Sequence, residues 1–150
     1  MSHTYVNIIL HLVFSTRDRQ NLLFHDMRSR LLDYMTGIAS QERVRVLAAN
    51  AVEDHLHMLV ALPPVCPLSG FVRVLKANSS RWIHETFPDL REFAWQGGYG
   101  AFSVSQSAIP EVSSYIRQQG EHHRRMPFAE ELRHFLERNQ IPYDPEHYLD

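Results

Sequence analysis

The sequence predicts an α+β fold: a ferredoxin-like (RRM-like) antiparallel sheet with helices on one face, followed by C-terminal helices. Three observations predict it. Apolar residues alternate with polar ones at 5–14 and 55–62, as in strands with one buried face. They recur at helical spacing over 26–39 and 67–87. The elements follow one another as β-α-β-β-α-β, an order that places both helices against one antiparallel sheet. A chain of 150 residues, 44% of them hydrophobic, suits one domain with a real core and excludes wholesale disorder. The expected organisation is a single domain over 1–150, with a core at about 4–107, a helix at about 109–123 that carries Tyr115, and a helix and tail at 128–150.

The first strand, 5–14, directs Val6, Ile8, Leu10, Leu12 and Phe14 to the core and Asn7 and His11 to the other face. The helix at 26–39 buries Met27, Leu31, Leu32, Met35 and Ile38. Residues 44–52 and 55–62 read as a hairpin broken by Glu53-Asp54 and ended by Pro63-Pro64. The helix at 67–87 buries Leu68, Phe71, Leu75, Trp82 and Phe87, and sets Arg73, Lys76 and Ser80 on a separate polar face. Two short strands, 93–95 and 101–105, flank Gln96-Gly97-Gly98-Tyr99-Gly100, where glycines permit positive φ and close backbone approach. Ser107 can cap the next helix, which tolerates Pro110 in its first turn and runs to about 123. A fourth, amphipathic helix spans 128–139.

The net charge is −2 and fourteen of the fifteen cationic side chains are Arg; Lys76 is the exception. Residues 1–120 carry 11 Arg/Lys against 10 Asp/Glu, and 121–150 carry 4 against 7, so an anion-binding surface is expected in the first 120 residues. One cysteine, Cys66, excludes an internal disulfide or a Cys-rich zinc site. With no 18-residue apolar run and no signal-peptide pattern, a cytoplasmic location and no membrane partner are expected.

Four features can carry chemistry. His55 and His57 lie two apart in a strand, so both imidazoles leave the same face while Leu56 and Met58 take the core. Such a pair can bind one divalent metal, or simply line a solvated sheet face. Tyr115 and Gln119, four apart on a helix, share a side and offer a phenol nucleophile and a carbonyl ligand, where an ordinary surface tyrosine is the plainer reading. Arg73, Lys76, Ser80 and Arg81 can hold phosphates. The glycine segment lacks the Lys-Ser/Thr ending of a P-loop. Glu53-Asp54 reads as a turn, Glu130-Glu131 as a solvated helix face, and His122-His123 as a polar helix end. A small-molecule metallohydrolase would need a third carboxylate or His ligand, for which the sequence offers no good candidate.

Five segments stand in order along the chain: HLVFSTRDR at 11–19, EDHLHMLV at 53–60, LKANSSRW at 75–82, WQGGYGAFSVS at 95–105 and YIRQQGEHHRRMPFAEE at 115–131. Together they resemble the single-tyrosine HUH transposases of the insertion-sequence-200 type. The resemblance implies a prokaryotic, nucleoid-associated enzyme that cuts and rejoins single-stranded DNA with hairpin ends. It implies metal-assisted transesterification through a 5′-phosphotyrosine intermediate. It gives Tyr115 as nucleophile, His55, His57 and Gln119 as ligands to Mg²⁺ or Mn²⁺, and Arg73, Lys76, Ser80 and Arg81 as DNA contacts. It also implies a homodimer whose active site is completed in trans by the Tyr helix, with the glycines at 97, 98 and 100 as a plausible hinge. The alternative is a domesticated hairpin-binding protein without turnover.

Overall fold

The computed structural model describes residues 2–150. Four strands, β1 (Ile8–Ser15), β2 (Arg45–Ala51), β3 (His55–Leu62) and β4 (Gly100–Ser103), form one antiparallel sheet in the order β2-β3-β1-β4. Helices α1 (His25–Gln41) and α2 (Leu68–Thr86) precede β2 and β4 respectively. Beyond β4 come α3 (Ile109–Arg117), α4 (Gln119–Arg125) and α5 (Phe128–Arg138). This is the α+β architecture that the alternation and element order predict, with helices on both faces once the C-terminal ones are counted.

The pleat of the two central strands sorts their side chains. Leu12, Phe14, Leu56, Met58 and Val60 join Met27, Leu31 and Met35 of α1 and Phe71, Leu75 and Ile83 of α2 in the main core. On the opposite face, Ile9 and Leu59 pack with Ile116 of α3, and Val13 and Phe102 pack with Phe128 and Leu132 of α5. Trp82 belongs to the rim of the main core, stacked on Tyr34 at 5.2 Å, as its place in the α2 stripe predicts.

Several boundaries differ from expectation. The first strand starts at Ile8 rather than Tyr5. Residues 93–95 do not form a full strand; Trp95 makes a single bridge to Thr16, and Gln96 exchanges hydrogen bonds with the Ser15 backbone through both its amide N–H and its side-chain oxygen. The glycines of 97–100 do not use positive φ. Close approach is the requirement at Gly100, where a Cβ would come within 3.0 Å of Val13 Cγ1 on the paired strand. Ser107 does not cap α3: it sits in a 3-10 turn, Gln106–Ala108, ahead of the helix, and Pro110 occupies the first turn as expected. No helix among the described residues is long and apolar enough to cross a membrane.

Candidate metal and nucleophile site

His55 and His57 leave the face of β3 opposite Leu56 and Met58, as the two-residue period requires, but that face is not solvated. Both imidazoles are fully buried beneath α4 and α5. His55 Nδ1 lies 2.7 Å from Asp54 Oδ1 and its Nε2 lies 3.1 Å from Gln119 Oε1. His57 Nδ1 lies 2.7 Å from Nε2 of His11 on β1. Each ring is therefore fixed through Nδ1 and presents Nε2 to the same small volume, the arrangement expected when the other nitrogen of an imidazole orients a ligand.

Glu131 closes that volume. Its Oε1 lies 3.1 Å from His57 Nε2 and 3.3 Å from His55 Nε2. Its Oε2 accepts hydrogen bonds from Gln119 Nε2 at 2.9 Å and from the Tyr115 hydroxyl. Four side chains from β3, α3 and α4 thus meet at one carboxylate of α5. The pattern that delivers Glu131 lies in α5, where Phe128, Glu131, Leu132 and Phe135 occupy positions i, i+3, i+4 and i+7 of one helical stripe. Three of the four are apolar and packed on β1 and β4, so Glu131 is carried inward with them.

The tyrosine and glutamine reach the site through a break in the helix. Where one helix is expected to run through 109–123, α3 ends at Arg117 and α4 begins at Gln119, with Gln118 at φ −94°, ψ 18° between them. Asn50 of β2 donates to the carbonyls of Ile116 and Arg117 at 3.0 and 3.1 Å, satisfying groups that the break frees. His122 stacks on Tyr115 with ring centroids 4.4 Å apart. Beside Tyr115, between α3, α4 and α5, opens a cleft of about 1170 Å³ lined in part by His122, Arg125, His134 and Arg138.

Burial and the two carboxylates set the charge states. Burial works against a charge on His55, but its hydrogen bonds to Asp54 and Glu131 outweigh that and raise its pKa to about 9. Burial lowers the pKa of His57, and burial with the neighbouring His57 takes His11 down to about 3. Burial alone would raise Glu131; its hydrogen bonds with His55 and His57 hold it well below the usual carboxylate range. Burial and the Glu131 carboxylate push the Tyr115 phenol above its ordinary value.

Two imidazole nitrogens, an amide oxygen and a carboxylate oxygen on one point form a donor set suited to a divalent ion of the Mg²⁺ or Mn²⁺ class. His11 fits either state of His57. Neutral His11 can donate to Nδ1 when His57 donates to Glu131, or accept from Nδ1–H when Nε2 is needed as a ligand.

Three readings require correction. Glu131 is 4% exposed, not part of a solvated face, and supplies the third carboxylate-or-His donor that the sequence did not disclose. Asp54 is in the expected turn, yet its carboxylate also anchors His55. His123 contacts Glu53 and Asp54 rather than solvent alone. Of the predicted DNA-contacting group, Arg73 and Arg81 are exposed on α2 and Ser80 is half-buried, across the sheet from the His pair. Lys76 is half-buried with its ammonium on the carbonyls of Gln96 and Gly98, and burial lowers its pKa to about 8.

Comparison with known proteins places these features in context. A family model for IS200-like transposases matches residues 4–119. The transposase for insertion sequence element IS200 from Salmonella typhimurium is 31% identical over 125 residues, covering 79% of this chain and 81% of that protein. The ISDra2 transposase TnpA of Deinococcus radiodurans is 28% identical over 114 residues, covering 73% and 81%. A crystal structure of a Deinococcus radiodurans protein assigned as a transposase superposes with a TM-score of 0.65 at 26% identity, covering 79% of this chain and 96% of that one. A REP-associated tyrosine transposase bound to a REP hairpin shares the fold, with a TM-score of 0.61 at 16% identity over 82% of this chain and 73% of the other.

Proposed function

This chain belongs to the IS200-like transposase family, and on that footing we propose that it cuts and rejoins single-stranded DNA through a 5′-phosphotyrosine intermediate on Tyr115. The observation that carries the reading is the meeting of the Tyr115 hydroxyl with both imidazoles of the His pair at a single carboxylate. A nucleophile and a metal-ligand set that share one hydrogen-bonded centre can act on the same phosphate.

In this reading His55, His57 and Gln119 hold Mg²⁺ or Mn²⁺, which polarises the scissile phosphate and stabilises the leaving oxygen when bound. His11 and Asp54 keep the two imidazoles in register. Tyr115 Oη attacks phosphorus as its proton passes to the Glu131 carboxylate or to water, the bond to the 3′-oxygen breaks and that oxygen takes up a proton to leave as a 3′-hydroxyl, and the 5′ end stays on the tyrosine. A second 3′-hydroxyl then attacks the phosphotyrosine and restores a phosphodiester, so no nucleotide hydrolysis is needed. The cleft beside Tyr115 gives a flexible single strand a path, with Arg125 and Arg138 along it as phosphate contacts. Arg73, Ser80 and Arg81 on α2, with Lys76 acting at the 96–98 loop it holds, are proposed to contact the hairpin ends; a relative of this fold is bound to a hairpin. The working unit is proposed to be a homodimer; within one chain Tyr115 and Gln119 already reach the His pair and Glu131, so exchange of α3 would replace those contacts with their counterparts from a partner. The short 104–108 connection is what would redirect α3 onto a partner's sheet.

The test is a covalent-adduct assay. Protein, Mn²⁺ and labelled single-stranded oligonucleotides from the gene's own flanks are incubated and run on a denaturing gel. A shifted band is expected with the wild type and none with Tyr115→Phe or His57→Ala. Salt-sensitive hairpin binding with no adduct under any divalent metal would replace this reading by the non-catalytic hairpin binder.

A further inference from the structure

Glu131 lies outside the residues that the family model matches, on α5, beyond the helices that carry Tyr115 and Gln119. Yet it is among the most enclosed charged side chains of the molecule and touches His55, His57, Tyr115 and Gln119. We propose that Glu131 is a fourth protein ligand to the divalent ion, binding through Oε1 while Oε2 holds the Tyr115 hydroxyl. The proposal rests on the metal-dependent reading above.

The spacing of the donors supports it. Two ligand atoms at about 2.1 Å from one ion and at right angles to each other lie about 3 Å apart. The separations found are 3.1 Å for Glu131 Oε1 to His57 Nε2, 3.3 Å to His55 Nε2, and 3.1 Å for Gln119 Oε1 to His55 Nε2. These separations match the edges that such a shell would have with Glu131 Oε1 at one vertex. Charge balance points the same way. A buried carboxylate needs a cationic or donor partner. Without metal, that partner is the imidazole pair. Once both Nε2 atoms turn their lone pairs to an ion, they no longer donate to Oε1, and the ion itself supplies the positive charge that takes their place. Phe128 and Leu132 pack α5 on Val13 and Phe102 and so carry Glu131 to the His-pair face of the sheet.

The bridge has a functional consequence. One oxygen on the ion and the other on the phenol fix the distance between nucleophile and metal, so the ion's arrival also aligns Tyr115. Gln119 Nε2, donating to Oε2 at 2.9 Å, holds the carboxylate in the orientation that this requires.

Mn²⁺ binding to the DNA-free, full-length protein tests the assignment, measured by isothermal titration calorimetry and by loss of the free-Mn²⁺ spin-resonance signal. Glu131→Ala and Glu131→Gln are expected to weaken Mn²⁺ binding at least tenfold, with Glu130→Gln unchanged and His57→Ala abolishing it. Thermal unfolding in EDTA checks that each variant is folded; the shape-preserving Gln variant serves if the Ala variant is not. Unchanged or tighter Mn²⁺ binding in Glu131→Gln, with His57→Ala still deficient, would overturn the ligand role alone and mark the carboxylate as an occupant that metal must displace. No Mn²⁺ binding by the wild type would overturn both this assignment and the reading beneath it.

Discussion

The buried histidines couple folding to pH in two opposite directions. His55 has a folded-state pKa raised to about 9 from an unfolded value near 6.5, so its contribution is complete below 6.5 and is lost as pH rises toward 9. His11 is lowered to about 3, so the unfolded chain takes up a proton below 6.5 that the folded one refuses, and stability falls as pH drops from 6.5. The metal-free protein is therefore expected to show maximal thermal stability near pH 6.5, with loss on both sides; the alkaline limb is worth on the order of 3 kcal/mol at most. Calorimetric melts in EDTA from pH 4 to 9.5 check this. His11→Phe removes the partner of His57 Nδ1 and is expected to weaken Mn²⁺ binding by about 10–100-fold, read by calorimetry at fixed pH. At this scale the sequence was legible where a period placed a side chain: His55 with His57, and Tyr115 with Gln119. Glu131 was hidden because its neighbour Glu130 and the acidic tail suggested a wet face. The signal was present, since Glu131 stands on the same stripe as Phe128, Leu132 and Phe135.

At the scale of elements, the break between α3 and α4 decides whether Gln119 faces His55. Gly120, two residues beyond Gln118, lowers helix propensity there, but a single glycine inside a helical pattern is tolerated, so the sequence reads as one helix across the break. The cause is tertiary: Asn50 on β2 satisfies the Ile116 and Arg117 carbonyls and supports the break there. Asn50→Ala is expected to cost about 1–2 kcal/mol in unfolding free energy and to reduce Tyr115 adduct formation tenfold or more, measured by denaturant melts and by the gel assay. The β2–β3 hairpin and both core helices were legible to within one or two residues, because each carries a strong apolar period bounded by polar or proline breaks. The segment 93–96 was less so. Its role is set by Gln96 bonding to Ser15 and by Trp95 donating to Ser79 Oγ at 2.9 Å, contacts between residues far apart in sequence.

The whole molecule divides its labour across the sheet. One face packs α1 and α2 into the main core and displays Arg73 and Arg81; the other holds the site under α3, α4 and α5. The charge balance along the chain favours residues 1–120 for an anion, whereas Arg125 and Arg138, from the net-acidic end, line the cleft at Tyr115. A linear tally cannot foresee which cations folding will gather. The proposed exchange of α3 has its own check: mixed dimers of His57→Ala and Tyr115→Phe subunits are expected to regain partial activity, and a dead mixture would place each site within one chain. The central claim is that Tyr115 is the nucleophile at the His-pair site. It is tested most directly by digesting the Mn²⁺-dependent protein–DNA adduct and locating the modified residue by mass spectrometry. The expected result is a 5′-phosphonucleotide on the peptide containing Tyr115, lost in His57→Ala. A nucleotide on any other residue, or an adduct that persists in Tyr115→Phe, would contradict it.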